Sequence, residues 1–379
     1  MRIKQRLWNA ARGWSTSGDC PLKDIAQVVF VFGETRLLRD QALRGDIASA
    51  YPGAQLVGCS TAGEIYAGRV FDDALTVTAV HFEHTAIQTV SLHFTDTGQS
   101  RAIGEALANS LDKNRLRHVF VLSDGLRVNG SELTQGLAGS LPAGVSVTGG
   151  LAGDSTHFAQ TLVLSRNTPM AGTATVLGLY SDRLTVGYGS KGGWDPFGPE
   201  RLVTKSKGNV LYELDGQCAL DLYKSYLGKH AEGLPATGLL FPLSLRPKGR
   251  EQEGLVRTIL SVDEDAKTMT FAGDIPEGVY ARLMKANMDR LVDGAHGAAA
   301  LCLETGGPSP DLAVLISCVG RKLVLKQRVE EEVEAVQEVF GDRAVLTGFY
   351  SYGEIAPQQH SGVSELHNQT MTITTFTER

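Results

Sequence analysis

Apolar and polar positions follow two rhythms along this chain. QVVFVFG (27–33), AQLVGCS (54–60) and HVFVLSDG (118–125) are apolar runs closed by glycine or small polar residues, the pattern of strands buried on both faces. LTVTAVHF and TAIQTVSLHF, within residues 75–94, alternate apolar with polar and predict neighbouring antiparallel strands with one buried face. Helical spacing appears at Ile103, Leu107 and Leu111 behind the candidate cap Ser100, and at Leu133, Leu137 and Leu141 behind Ser131. VSVTGG, QTLVLS, TATVLGLYS and LTVGYGS carry strands on to residue 190. SKGGWDPFGPE (190–200) has the glycine and proline density of a loop or hinge. Beyond it the pattern predicts a hairpin from RLVTKS and NVLYELDG, and a helix over 219–227. Short strands near 237–243, 255–260 and 267–272 and an alanine-rich helix over 280–303 follow. DLAVLISCVG then reads as a strand, 321–340 as an amphipathic helix, and AVLTGFYSYGEI and NQTMTITTFTE as closing strands. The mixture predicts an α/β fold with mixed (α+β) sheets, in two sandwich-like domains that share a cleft. The expected division is an N-terminal extension over 1–26 and domains over 27–215 and 216–379.

One turn is written three times. YPGAQLVGCSTAGEI (51–65), LPAGVSVTGGLAGDS (141–155) and GDRAVLTGFYSYGEI (341–355) align without gaps, each an apolar strand, a glycine bend and a Gly-acid pair. The acids are Glu64, Asp154 and Glu354. Glycine permits a left-handed backbone or a close approach, so three such strand ends would set carboxylates and free amides around a common cleft. The same residues also read as tight turns whose acids cap local amides. GCSTAG is not a nucleophile elbow, because its second glycine stands one residue too far for G-x-S-x-G. No nucleophile, base and orienting partner can be recovered together, so the chain is expected not to be an enzyme.

Bulk properties narrow the partners. A formal net charge of −6 argues against nucleic acid. Five scattered cysteines, none in a C-x-x-C pair, argue against a disulfide framework or a thiolate zinc site. No apolar run approaches the roughly 20 residues that span a bilayer, and the basic N-terminus lacks a signal-peptide core. A reduced, cytoplasmic protein is expected.

The ordered motifs resemble the FIST family of sensory proteins over nearly the whole chain. GCSTAGEI, TGGLAGD and the junction GWDPFGP…VTKSKGNVLYELDGQCALDLYKSYLG are similar to its N-terminal domain, and LISCVGR…GFYSYGEIAP…LHNQTMTI to its C-terminal one. The resemblance implies a sensor of a small ligand in bacterial signal transduction, with amino acids among the proposed ligands. One subgroup binds haem b, senses nitric oxide and modulates a separate histidine kinase or cyclic-di-GMP enzyme. That subgroup is the leading expectation here. A sensor of an amino acid or similar molecule, and a hydrolase-type enzyme using the acidic cleft, stay open, as does a homodimer.

Matched to the family's motifs, the ligand-binding candidates are Cys59, Ser60, Thr61, Gly63, Glu64, Gly150, Asp154, Cys318, Arg321, Tyr352, Gly353, Glu354 and Asn368. Arg321, after a strand end and a glycine, suits a carboxylate from an amino acid or a haem propionate, or else a Glu64 or Glu354 partner inside the fold. Cys318 reads either as a low-pKa thiol or as a small buried residue. Haem needs an axial ligand, and His157, His230, His360 and His367 are the candidates.

Overall fold

The structure, a computed structural model, describes residues 1–17, 22–249, 254–307, 309–359 and 361–379. Its frame is three parallel strand pairs: Val28–Gly33 with Gln55–Ser60, Leu116–Ser123 with Ser146–Leu151, and Leu312–Cys318 with Val345–Ser351. Helices connect the two strands of each pair. On its other side, each first strand takes an antiparallel neighbour: Ala74–His81, Thr173–Tyr180 or Met371–Glu378. Each neighbour then takes a further strand, Arg2–Asn9, Ala86–His93 or Leu184–Lys191. Three sheets of one plan result, and the α/β class with mixed sheets holds.

The inner faces of the three sheets meet in one core. Phe30 and Phe32 come from the first sheet, Phe120 and Leu122 from the second, and Ile316, Phe349 and Phe376 from the third. Phe30 stands edge-on to Phe120 with ring centroids 5.6 Å apart, and Phe32 lies 4.7 Å from Phe349. The alternate residues face outward: Val29 and Val31 pack with Leu37 and Ile47, while Val119 and Val121 share a cluster with Leu107 and Leu133. This two-sided burial is why these strands are continuous apolar runs.

Several expectations need correction. Residues 74–81 and 86–93 do not pair with each other: the first joins the first sheet and the second joins Thr173–Tyr180. Ala74–His81 is a central strand buried almost throughout, whereas Ala86–His93 is a partly exposed edge. Within the N-terminal extension, Arg2–Asn9 and Gly13–Ser17 form a hairpin on the first sheet. Residues 280–285 are a strand before the helix Met288–Gly306, and the 237–243 region begins as a 3-10 turn at Ala236–Leu240. The 321–340 helix breaks into Val319–Leu325 and Val329–Phe340 around Lys326, whose φ is +52°.

Residues 195–285 build a fourth, antiparallel sheet with its own core of Leu211, Tyr223, Met269, Phe271 and Leu283. This body is inserted between the edge strand Leu184–Lys191 and the helix Met288–Gly306. No helix among the described residues is long and apolar enough to cross a membrane.

One glycine recurs in the frame. Gly58, Gly149 and Gly348 lie opposite Val31, Val121 and Leu315 across the parallel pairs, and a Cβ on any of them would overlap that residue's carbonyl oxygen. Gly58→Ala should therefore destabilise the protein by about 1–3 kcal/mol. Gly45→Ala, inside a helix with open space around it, should stabilise by roughly 0.5–1 kcal/mol. Urea midpoints check both, and a neutral Gly58→Ala would show that the approach is not needed.

Candidate functional site

The three repeated turns meet. From the second turn to the first, Gly153 N–H donates to the Ser60 carbonyl at 2.9 Å and Ser155 N–H to Thr61 at 3.2 Å. The first binds the third through Ala62 N–H to the Tyr350 carbonyl and Tyr350 N–H to Gly63, both 2.8 Å. The third closes the ring with Tyr352 N–H to the Leu151 carbonyl at 3.2 Å. Past its turn, each chain segment crosses to another sheet. Glu64–Tyr66 pairs with Val345–Ser351, Gly353–Pro357 with Ser146–Leu151, and Val163–Ser165 with Gln55–Ser60. The repeated motif is the place where three sheets exchange strands.

The structure also revises the alignment. Gly149, not Thr148, takes the place of Gly58 and Gly348, so the second copy is one residue shorter between glycine and acid. Glu64 and Glu354 behave alike. Glu64 accepts from the Thr61 hydroxyl at 2.5 Å and from Ala74 N–H at 3.3 Å. Glu354 accepts from the Ser351 hydroxyl at 2.6 Å, and from Thr370 N–H and Oγ1 at 3.2 and 2.9 Å. Burial pushes each carboxyl up to about 8, against these hydrogen bonds. Asp154 differs: its carboxylate accepts from the amides of Phe158, Ala159 and Gln160 at 2.9, 2.7 and 2.7 Å, and from the Tyr352 hydroxyl. All three acids are buried, so the expected acidic cleft does not form from them; they cap local groups.

Arg321 is likewise turned inward. It forms a fully buried ion pair with Glu332 at 2.8 Å, not with Glu64 or Glu354. Its Nη1 and Nη2 also donate to the Gly192 and Leu291 carbonyls, and Glu332 also accepts from Ser317 and Tyr350. A guanidinium so engaged is not available to a ligand carboxylate. Removing one partner of such a pair costs about 3–5 kcal/mol, because the other charge stays buried. Gly192 lies just before the inserted sheet and Leu291 in the first turn of the helix that follows it, so the pair clamps that junction. Trp194 Nε1 to the Gln369 carbonyl (2.9 Å) and Asn287 Nδ2 to Asp195 (3.0 Å) fasten it further.

A cleft of about 700 Å³ opens where the inserted sheet faces the turns. The inserted body supplies Leu239, Thr258, Ile259 and Phe271; the frame supplies Leu126, Leu151, Phe158, Val319, Leu323 and Tyr352. Its wall is mainly apolar, with Asn129, Asn209 and Thr258 among the polar exceptions. Such a cavity suits a small molecule held by shape and a few polar contacts.

Comparison with known proteins identifies the chain. The FIST N domain matches residues 27–217 and the FIST C domain residues 219–357. The chain belongs to the FIST family. FIST domains are associated with sensing of small ligands in signal transduction. An uncharacterized protein of Methanocaldococcus jannaschii is 24% identical over 315 residues, which cover 75% of this chain and 58% of that protein. The chain thus spans under two thirds of that relative. Among solved structures, cyanuric acid hydrolase from A. caulinodans has a TM-score of 0.31 at 11% identity, over 93% of this chain and 90% of the other.

Within this FIST chain, two of the residues chosen from the motifs line the cleft, Cys318 and Tyr352, with Asp154 holding the Tyr352 hydroxyl. Asn368 stands behind the wall, its Oδ1 3.5 Å from Thr258 N. Cys59, Ser60, Thr61, Gly63, Glu64, Gly150, Gly353 and Glu354 belong to the buried turn ring and its strands. Burial raises the thiols of Cys59 and Cys318, so neither is a low-pKa nucleophile. His230 is exposed beside Phe241, and His367 bonds the Ala356 carbonyl at 3.1 Å with burial lowering it to about 4. His360 lies outside the described residues. His157 is exposed between two lining residues, Thr156 and Phe158. The lining residues of the inserted sheet escaped sequence reasoning, because isolated apolar positions in short strands carry no motif.

The raised carboxyls generate a pH prediction. A glutamate near 4.5 when unfolded and near 8 when folded holds its proton longer in the native state. Its contribution is therefore complete below about 4.5 and declines as pH rises to about 8. Urea midpoints of Glu64→Gln and Glu354→Gln should fall less over that range than those of the wild type. Parallel pH profiles would mean that both glutamates are ionised in the native protein.

Proposed function

We propose that this protein is a sensor of a small, mainly apolar molecule that enters the cleft between the turn ring and the inserted sheet. The carrying observation is that two bodies share the cleft wall, the chain passing between them at residues 192–195 and 285–288. A ligand that contacts both bodies shifts their relative position by its differential affinity for the two arrangements. The helix Val319–Leu325 touches the cleft with Val319 and Leu323 and the junction with Arg321, and so links occupancy to the clamp. A separate signalling protein, such as a histidine kinase or a cyclic-di-GMP enzyme, would read that position. An amino-acid ligand held through Arg321 is disfavoured by the guanidinium's buried partners.

One observation favours haem b as the ligand. His157 Nδ1 lies 2.9 Å from the Asp154 carbonyl, which sets Nδ1 as the donor, and the residue stands between the lining residues Thr156 and Phe158. The cleft's volume and apolar wall fit a porphyrin, and His157 would hold the iron. Bound haem would supply a site for a diatomic gas such as nitric oxide.

The fluorescence of 8-anilinonaphthalene-1-sulfonate tests the cleft. The wild type should bind it at one site, and Ala236→Trp, which places bulk at an exposed lining position, should weaken binding by about tenfold or more without moving the thermal midpoint. Unchanged binding would contradict the cleft reading. Haem titration tests the second reading: a Soret band that shifts in His157→Ala is expected, and an identical band in the variant rules out His157 as ligand.

A further inference from the structure

Besides the cleft, the inserted sheet and the frame enclose a cavity of about 210 Å³, which shares Leu366 with the cleft wall. The sheet supplies Leu245, Leu255, Arg257 and Asp274, and the frame supplies Gln135 and Glu365. Arg257 is 4% exposed, yet it forms no ion pair among the described residues. Buried charges are ordinarily paired, as Arg321 is with Glu332. Burial pushes Arg257 down to about 10, and the attraction of Glu365 and Asp274 does not make up the loss. Backbone carbonyls take part of the guanidinium. Nε donates to Asp274 at 3.1 Å, and Nη1 to Val256 at 3.2 Å and to Leu366 at 3.0 Å. Nη2 has no partner among the described residues and, unlike the Nε atoms of Arg6 and Arg44, is not sealed off. Gly273, with φ of +144°, makes room for this group, since a Cβ there would stand 2.9 Å from Arg257 Nε.

Asp274 stands in the same wall and is held from the frame. Its Oδ1 accepts from Asn129 Nδ2 at 2.9 Å, and its N–H donates to Ser131 Oγ at 3.2 Å. Its Oδ2 has no partner among the described residues. The Arg257 and Asp274 charges attract without touching, and one planar amide group can bridge such a gap. A ligand carboxylate would instead bring a third negative charge beside Asp274 and Glu365, against a single guanidinium. A carboxamide offers an acceptor and a donor with no charge.

We propose that this second cavity binds a small molecule carrying a carboxamide, whose carbonyl oxygen accepts from Arg257 Nη2 and whose N–H donates to Asp274 Oδ2. Leu245, Leu255 and Leu366 border the space for its apolar body. The site is separate from the cleft and does not depend on the cleft being a ligand site.

Saturation-transfer NMR titrations of the full chain with three matched probes test this. The wild type should bind cyclohexanecarboxamide about three- to tenfold more tightly than cyclohexanecarboxylate, and by a similar factor more tightly than 1-cyclohexylethanone, which lacks the N–H. Asp274→Asn presents a neutral side chain to the cavity, so the carboxylate should then overtake the carboxamide. Gln135→Trp puts bulk at an exposed lining position of the helix Gly130–Gly139. It should weaken all three probes by about tenfold or more without moving the thermal midpoint. Arg257→Met should weaken them likewise, and if it does not fold the other two variants still decide. No binding by the wild type, equal binding of carboxamide and carboxylate, an order that survives Asp274→Asn, or binding untouched by Gln135→Trp would overturn the proposal. Binding lost in Ala236→Trp and kept in Gln135→Trp would place the probes in the cleft, so this proposal would fail while the cleft reading stood.

Discussion

Three glycines without side chains let three pairs of parallel strands close up, and the strand exchange depends on that approach. At Gly58, Gly149 and Gly348 the neighbouring carbonyl stands where a Cβ would be. Immediately beyond, each chain leaves its own sheet and joins another, and backbone hydrogen bonds between the three turns close a ring. None of the three frame sheets is complete without a hairpin from a different part of the chain. The glutamates that follow are buried in this ring and cap it, which explains a carboxyl at a position where no solvent or ligand reaches it.

The proposed function lies where the three-fold plan is broken. The third unit is interrupted by the sheet of residues 195–285, and the second turn is shortened so that its acid holds an aromatic pair instead of its own hydroxyl. The two departures face each other across the cleft. The buried Arg321–Glu332 pair sits at the junction between them, holding the Gly192 carbonyl before the inserted sheet and the Leu291 carbonyl in the helix after it. An ion pair out of water adds little net stability after its desolvation, but this one fixes geometry at that junction through the two carbonyls it holds.

Much of the frame was legible in the sequence. Continuous apolar runs marked the paired strands, and the recurrence of glycine followed by Gly-acid marked the three turns and their meeting. Pairing was less legible: residues 74–81 and 86–93 look like a hairpin because alternation reports a buried face and not the partner that covers it. The Arg321 partner was missed because Glu332 lies on a helix whose acidic run reads as solvated, yet this one residue faces inward. Phe158 carries no motif at all, and its strained backbone exists only after folding.

If strand exchange makes the three sheets one cooperative unit, their amides must open together. Native-state hydrogen exchange on Ala62, Gly153, Tyr350 and Tyr352, against amides in the inserted sheet such as Leu211 and Phe271, measures this directly. The expected result is a single, highest opening free energy for the four turn amides, equal to that of global unfolding, with the inserted sheet opening at lower free energy. Different opening energies for the turn amides of the three copies would show that the sheets unfold separately, and the ring would then not be what holds the fold together.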